Sequence, residues 1–204
     1  MYAVITDGSI SGYINNPKPV TIGDIQYPAK IFYLWTASEL AAIGIIEVTF
    51  DDSKKKDEKW YINTNQTYTY DASAGTVTAA YGDATAKAHA DSLFTAQDET
   101  DGLGTEGEIK SRGLKYNLIQ TLKQQAAGEL QKTDWYIVRK ADAGTAVPSS
   151  ITNHRAAVRT KTAEMETAIT NASDTPALET LYTYTKQEDG SVTRPLGELP
   201  TLES

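Results

Sequence analysis

Acid–base or metal chemistry in this chain would have to involve its two histidines, His89 and His154. Each lies in a predicted helix without a second histidine or an acid three or four residues on, the spacing that places two metal ligands on one helix face. No Gly-x-Ser-x-Gly turn is present for a nucleophilic serine, and the chain has no cysteine for thiolate chemistry. The sequence therefore predicts no catalytic set, no metal site and no cofactor.

A glycine-rich, acidic stretch over residues 98–107 is the other place where a ligand would be sought. Its Gly102-Leu-Gly104 is not followed by the Lys-Ser/Thr of a phosphate-binding loop. Its acids do not alternate as calcium ligands do in an EF-hand, so calcium binding is the weaker alternative. We interpret 98–107 as an exposed, flexible connector.

Charge and hydropathy exclude two further classes. A net charge of −8 and a pI near 4.8 are unlike those of a nucleic-acid-binding protein, which needs a surplus of Lys and Arg. The best apolar run, 40–46, is far shorter than the ~20 residues that cross a bilayer. The N-terminus has no visible export signal. We expect a soluble chain with no nucleic acid or membrane as partner.

The first half of the chain has the alternation typical of strands. Asp7-Gly8 predicts a tight hairpin, and 60–81 predicts an antiparallel meander rich in tyrosine and threonine. A capping box of Thr36 and Glu39, followed by Gly44, predicts one short helix. These signals predict an antiparallel β-rich N-terminal module over 1–82, and the whole chain is predicted to be α+β.

Helical patterns dominate the second half. We predict a helical and Gly-rich linker over 83–107, helical from Ala84 to about Gln97, and a helical module over 108–184. A Thr105–Glu108 capping box would open its first long helix. Two apolar stripes predict a helical hairpin, with members Leu114, Leu118, Leu122, Ala126 and Leu130 on one helix and Ile151, Val158, Met165 and Ile169 on the other. Thr175 is the predicted N-cap of a final helix, and 185–204 is predicted to be an extended tail without structure of its own.

Four tyrosines of the meander are candidate interface residues. Tyr61, Tyr68, Tyr70 and Tyr81 fall on strands of which one face must meet solvent or a partner. Aromatic rings with a polar tip are enriched in protein interfaces, and they also stack on sugars. A place in the core is the structural alternative, so interface, core and carbohydrate site all stay open here.

Leu130 to Val138 contains Thr-Asp-Trp before a predicted short hydrophobic strand, and a Pro-led helix with His154-Arg155 and Arg159 follows. Through these motifs, residues 110–162 resemble the bacteriophage tail assembly chaperone family. A second segment, Leu34 to Val48 with Trp35, is similar to an N-terminal segment of phage tail fibre assembly and tail-associated proteins.

The resemblance implies a folding signature and a tail role. Trp135 would fill the end of the helix pair, and Asp134 would accept backbone amides of the turn. Arg155 and Arg159, pointing outward one turn apart, would serve a carboxylate or a neighbouring chain.

The function expected from this resemblance is that of a non-enzymatic tail structural protein. It would be made in the host cytoplasm, reside in the virion tail as a tail fibre or baseplate component, and contact other tail proteins or copies of itself. The alternative is a tail assembly chaperone that is absent from the finished virion. A carbohydrate-binding module for the host surface is a third, less supported possibility.

Overall fold

A computed structural model describes residues 1–202 of the chain. The chain divides into two compact units, Met1–Thr85 and Ala86–Ser204. Strands predominate over helices in the first unit and helices over strands in the second, so the predicted α+β class is confirmed. The segment 83–107, predicted as a linker, falls mostly within the second unit, as does the predicted tail.

The first unit is built on a five-stranded sheet. Its elements are β1 (Tyr2–Thr6), β2 (Ser9–Ile14), β3 (Val20–Ile22), β4 (Ile25–Tyr27), α1 (Ile31–Leu34), α2 (Ala37–Ala42), β5 (Ile45–Asp51), β6 (Tyr61–Ile62), β7 (Thr67–Asp71) and β8 (Thr76–Ala80). The strand order is β2-β1-β5-β8-β7, and β3 and β4 form a separate hairpin. The prediction of a wholly antiparallel module is wrong at one pairing. Because β8 rather than β7 lies beside β5, that pair is parallel.

The turn and the helix ends predicted from short sequence motifs are present in this unit. Asp7 and Gly8 both have positive φ, 51° and 73°, as the tight β1–β2 hairpin requires. Thr36 and Glu39 form the predicted capping box of α2, which is confirmed. Gly44 ends that helix at φ 80°, where a Cβ would lie 2.6 Å from the carbonyl oxygen of Ile5. Only glycine fits this close approach to β1.

Alternate residues of the sheet are buried in two separate clusters. One cluster packs under α1 and α2, with Ile14, Ile31, Phe32, Leu40 and Ile45 as its buried members. The opposite face holds a second cluster of Ala3, Val48, Val77 and Ala79. The sheet curls around this second cluster, because its outer strands β2 and β7 come into contact and the rings of Tyr13 and Tyr68 lie 4.7 Å apart.

The second unit is centred on two long helices. After β9 (Thr85–Ala86), which straddles the division, come β10 (Ser92–Leu93), α3 (Ala96–Thr100), β11 (Ile109–Ser111), α4 (Leu114–Gln131), α5 (Asp134–Ala143), α6 (Ser149–Asn171), α7 (Thr175–Tyr182), β12 (Thr185–Lys186) and β13 (Val192–Thr193). Helix α4 packs along α6. Six residues of the predicted apolar stripes are buried on the two helices: Leu122, Ala126, Ile151, Val158, Met165 and Ile169. The predicted packing of the two stripes against each other is therefore confirmed.

The predicted helix over 84–97 is wrong, and so is the predicted start of the long helix. Strands β10 and β11 pair across the acidic stretch, and α4 begins only after Gly113. The Gly113 amide donates to Asp91 Oδ1 at 2.7 Å, and a Cβ at Gly113 would lie 2.3 Å from the carbonyl carbon of Ala90. The helix start is therefore set by a close contact with a distant segment, which outweighs the local Thr105 signal.

Two predictions at the C-terminal end are also wrong. Asp174, not Thr175, caps α7 and accepts the amide of Ala177 at 2.8 Å, whereas the buried Thr175 hydroxyl donates to Lys87 O. The described part of the predicted tail, 185–202, has structure, because β12 and β13 form a hairpin and Leu196 is only 3% exposed. The last two residues of that prediction, 203–204, lie outside the described residues. The buried Leu196 side chain and its amide, which donates to the Leu181 carbonyl at 3.0 Å, dock a polar segment that composition alone describes as unstructured.

The acidic stretch is held by Asp98 rather than being a free connector. Asp98 forms a capping box with Thr95 at the start of α3, and its Oδ1 lies 2.6 Å from Lys110 Nζ. The side chain of Asp98 is 13% exposed. The Lys110 ammonium, with the hydrogen bonds from Thr95, lowers the pKa of Asp98 to about 2.

Asp98→Asn is expected to lower the melting temperature at neutral pH, because the amide keeps the shape but loses the charged acceptor. A carboxyl with a lowered folded-state pKa stabilises the fold above its ordinary pKa of about 4, and this contribution is lost as pH falls towards about 2. The measurement is melting temperature against pH for both proteins. The melting temperatures of the two proteins should approach each other as the pH falls from about 4 to about 2.

Asp101→Asn is the matched control, since among the described residues the Asp101 carboxylate accepts a hydrogen bond only from the Gln97 side-chain amide, within α3. A constant gap between the Asp98→Asn and parent curves down to pH ~2 would contradict the role given to the Asp98 charge.

Candidate protein-interaction site

A buried arginine of α6 binds the joint between α4 and α5. Arg155 Nη1 lies 2.7 Å from each of three oxygens, the Leu130 carbonyl, the Thr133 hydroxyl and Asp134 Oδ1. Arg155 is 9% exposed and Thr133 is fully buried. One guanidinium thus satisfies the end of α4 and the start of α5 together.

This joint corrects the roles expected from the resemblance. Arg155 does not point outward to a neighbouring chain, because its donors are used inside the unit. Asp134 accepts from Arg155 rather than from backbone amides of the turn. Arg159 remains exposed, one turn further along α6, with Nη1 3.5 Å from the Arg155 carbonyl.

Helix α5 leaves this joint without burying a single residue. Trp135 is 55% exposed and Val138 is 65% exposed, and Ile137 is exposed as well. The predicted short strand at this place is wrong, since the segment is helical. The expectation that Trp135 fills the end of the helix pair is also wrong, because more than half of this residue is exposed and its ring contacts Tyr136 at a tilt of 44°, with centroids 4.8 Å apart.

A cation lies beside this exposed apolar surface. The Arg139 guanidinium carbon is 4.5 Å from the Trp135 ring centroid and 5.5 Å from that of Tyr136. Within residues 1–202, neither Arg139 nor Lys140 is in an ion pair, and the buried Nε of Arg139 has no acceptor. Trp135, Val138 and Arg139 lie three or four residues apart and so share one side of α5, whereas Ile137 and Lys140 lie on the opposite side. We call Trp135, Val138 and Arg139 the α5 face. It has the composition of an interaction hot spot, in which Trp, Tyr and Arg dominate.

The length of α5 adds to this argument. Isolated helices shorter than about 12–15 residues are marginal in water, and α5 has 10 residues. Its ends are well made, with Asp134 held by Arg155 and Gly144 closing the helix at φ 67°. Its sides contribute almost no burial. The helix is therefore a preformed but weakly supported element that a partner would stabilise.

The tyrosines predicted as an interface take different places in the first unit. Tyr61 is 5% exposed and belongs to the core, so its interface prediction is wrong. Tyr68 and Tyr70 pack partly buried against the Ala3, Val48, Val77 and Ala79 cluster. Tyr81 is partly exposed, with Lys55 Nζ 5.6 Å from its ring centroid. Core packing therefore accounts for much of the tyrosine pattern.

Trp35 also packs within the first unit. Its ring meets Tyr27 edge-on at 5.7 Å, and it lies against the cluster under α1 and α2. The resemblance singled out Trp35, and the structure gives it a packing role at the C-cap of α1.

Chemistry of other kinds finds little support in the part of the chain that the structure describes. Residues 1–202 contain no group of three His, Cys, Asp or Glu side chains that could hold a metal ion. None of the helices described there is both long enough and apolar enough to cross a membrane.

Comparison with known proteins finds no matching family model, no matching curated protein and no matching solved structure.

Proposed function

We propose that this chain is a non-enzymatic structural protein of a bacteriophage tail, which acts through contacts with other tail proteins or with copies of itself. The observation that carries the proposal is the α5 face. Its Trp135 belongs to the segment that resembles the tail assembly family, and its side chain is presented to solvent rather than packed. A signature residue that the fold does not need for packing is best explained by recognition.

The alternative functions receive less support. A carbohydrate site on the meander would need accessible tyrosine rings, and Tyr61 is buried while Tyr68 and Tyr70 are partly covered. A transient assembly chaperone would use the same α5 face for binding. It differs from the proposed function because it would be absent from the finished virion.

The deciding experiment is a quantitative mass-spectrometric inventory of purified virions from the phage that encodes this chain. We expect the chain in a fixed, stoichiometric number of copies per particle. A chain that is abundant in the producing cell and missing from finished particles would overturn the structural role and support the chaperone.

The α5 face can be tested in the same particles. Trp135→Ala should reduce incorporation of the chain into virions, because truncation of a hot-spot aromatic commonly costs ~2 kcal/mol or more of binding. Tyr33→Ala in α1 is the matched control, since Tyr33 is an aromatic with 73% exposure outside the α5 face. Equal incorporation of both variants would contradict the role of the α5 face.

A further inference from the structure

The second unit contains a cavity of about 550 Å³, formed by the last turns of α4 and by the segments that flank the β12–β13 hairpin. From α4 and its C-cap it is lined by Gln125, Gly128, Glu129 and Lys132, which lie three or four residues apart and so share one side of the helix. The buried Met165 of α6 adds apolar surface. The volume is in the range of small-molecule sites.

A tyrosine with a fixed ring lines this cavity. Tyr184 is 52% exposed, and its hydroxyl donates to Glu198 Oε1 at 2.5 Å. The Arg194 guanidinium carbon lies 5.2 Å from the ring centroid, and Arg194 Nη2 binds the other Glu198 oxygen at 2.8 Å. The ring is held at its hydroxyl and by the cation, while half of the residue stays accessible. Tyr184 is therefore a preorganised surface on which the apolar face of a sugar ring can pack.

The charges of the lining are balanced in pairs. Lys132 Nζ lies 2.6 Å from Glu129 Oε1, and Arg194 pairs with Glu198. A charged ligand would have to separate one of these pairs or enter without a counter-charge. A neutral ligand avoids this cost.

Hydrogen-bonding capacity remains after these pairs have formed. Within residues 1–202, Arg194 Nη1 and the Gln125 side-chain amide have no hydrogen-bond partner, and Lys132 Nζ uses one of its three N–H donors. Each Glu198 oxygen accepts one hydrogen bond and retains a second lone pair. The cavity thus offers donors and acceptors together, which matches a ligand whose hydroxyl groups both donate and accept.

Gly128 gives a ligand access to the backbone of α4. A glycine inside a helix is less favourable than alanine, and here the fold does not require one. A Cβ at Gly128 would meet no atom within 4 Å, and its φ is not positive. Close approach of a ligand to the helix backbone is a reason to keep glycine at this position.

We propose that this cavity binds a neutral saccharide. A sugar ring packs on Tyr184 and lies against Gly128, and its hydroxyl groups bond Arg194, Lys132 and Glu198. The inference goes beyond the proposed structural role and does not depend on it, because it uses no residue of the α5 face.

The test is binding of the full chain to a glycan array that carries neutral and acidic oligosaccharides. Calorimetric titration follows with the neutral oligosaccharide that binds most strongly. Tyr184→Ala should weaken binding by about tenfold or more, because it removes the surface on which the sugar packs. Tyr116→Ala is the matched control and should leave binding unchanged. Tyr116 is also an exposed tyrosine of the second unit with an arginine over its ring, Arg112 at 4.0 Å, but it does not line the cavity.

Gly128→Met separates binding from folding. Methionine is a better helix former than glycine, and its side chain would extend into the cavity. This variant should lose binding and melt at no lower temperature than the parent, as followed by circular dichroism. An array without a bound neutral glycan, binding confined to acidic glycans, or undiminished binding by Tyr184→Ala or Gly128→Met would each overturn the proposal. The virion inventory is a separate measurement, so failure of the saccharide site leaves the structural role standing.

Discussion

Replacing Arg155 by alanine is expected to lower the free energy of unfolding by about 2 kcal/mol. The substitution removes the charged donor of the fully buried Thr133 hydroxyl and of the Leu130 carbonyl, which keep only their mutual hydrogen bond of 2.9 Å. It also removes the partner of Asp134, but this carboxylate is 55% exposed and can be rehydrated, so it adds little to the loss. The measurement is a urea titration followed by far-UV circular dichroism, to which α4 and α6 contribute strongly.

Two further variants make this result specific. Arg155→Lys keeps the charge and should recover part of the loss, but not all, because an ammonium cannot reproduce the planar guanidinium geometry. Arg159→Ala removes an arginine of the same helix one turn away, whose single contact is 3.5 Å long, and should change stability by no more than ~0.5 kcal/mol. Equal losses for Arg155→Ala and Arg159→Ala would contradict the account of the joint.

Local sequence signals were sufficient wherever the structure depends on neighbours along the chain. The Asp7-Gly8 turn and the Thr36–Glu39 capping box need only residues within three positions, and both were predictable. The apolar stripes of α4 and α6 were predictable for the same reason, since helical periodicity states which face will be buried.

Long-range contacts account for the parts that could not be predicted. The parallel pairing of β5 with β8 depends on which strand of a later hairpin takes the inner position. The start of α4 depends on the approach of Gly113 to Ala90, a segment more than twenty residues earlier. Neither contact produces a periodic pattern of apolar residues from which it could have been predicted.

The candidate site shows the same division. The consecutive apolar residues of Trp135 to Val138 resembled a buried strand, because apolar runs are usually buried and carry no helical period. The signal that pointed to a surface helix was the charged flank on both sides, Asp134 before the run and Arg139 and Lys140 after it. The role of Arg155 could not be predicted, because the sequence around an arginine does not show whether its side chain is buried or exposed.

Leu122→Ala and Trp135→Ala together test which residues hold the second unit. Leu122 is 2% exposed in the α4–α6 contact, and its truncation should cost ~2–5 kcal/mol through lost burial and the cavity left behind. Trp135 is the larger side chain, yet it is 55% exposed on a helix with no buried residue, so its truncation should cost less than ~1 kcal/mol. Both variants are compared with the parent by urea unfolding.

The contrast between the two variants separates packing from recognition. A tryptophan that filled the end of the helix pair would cost ~3–5 kcal/mol on truncation, as much as the leucine or more. A stability loss for Leu122→Ala, together with nearly unchanged stability but reduced incorporation into virions for Trp135→Ala, is the expected pattern. Comparable unfolding losses for both would place Trp135 in the core and remove the main support for the α5 face, because a residue that packs inside the unit is not available to a partner.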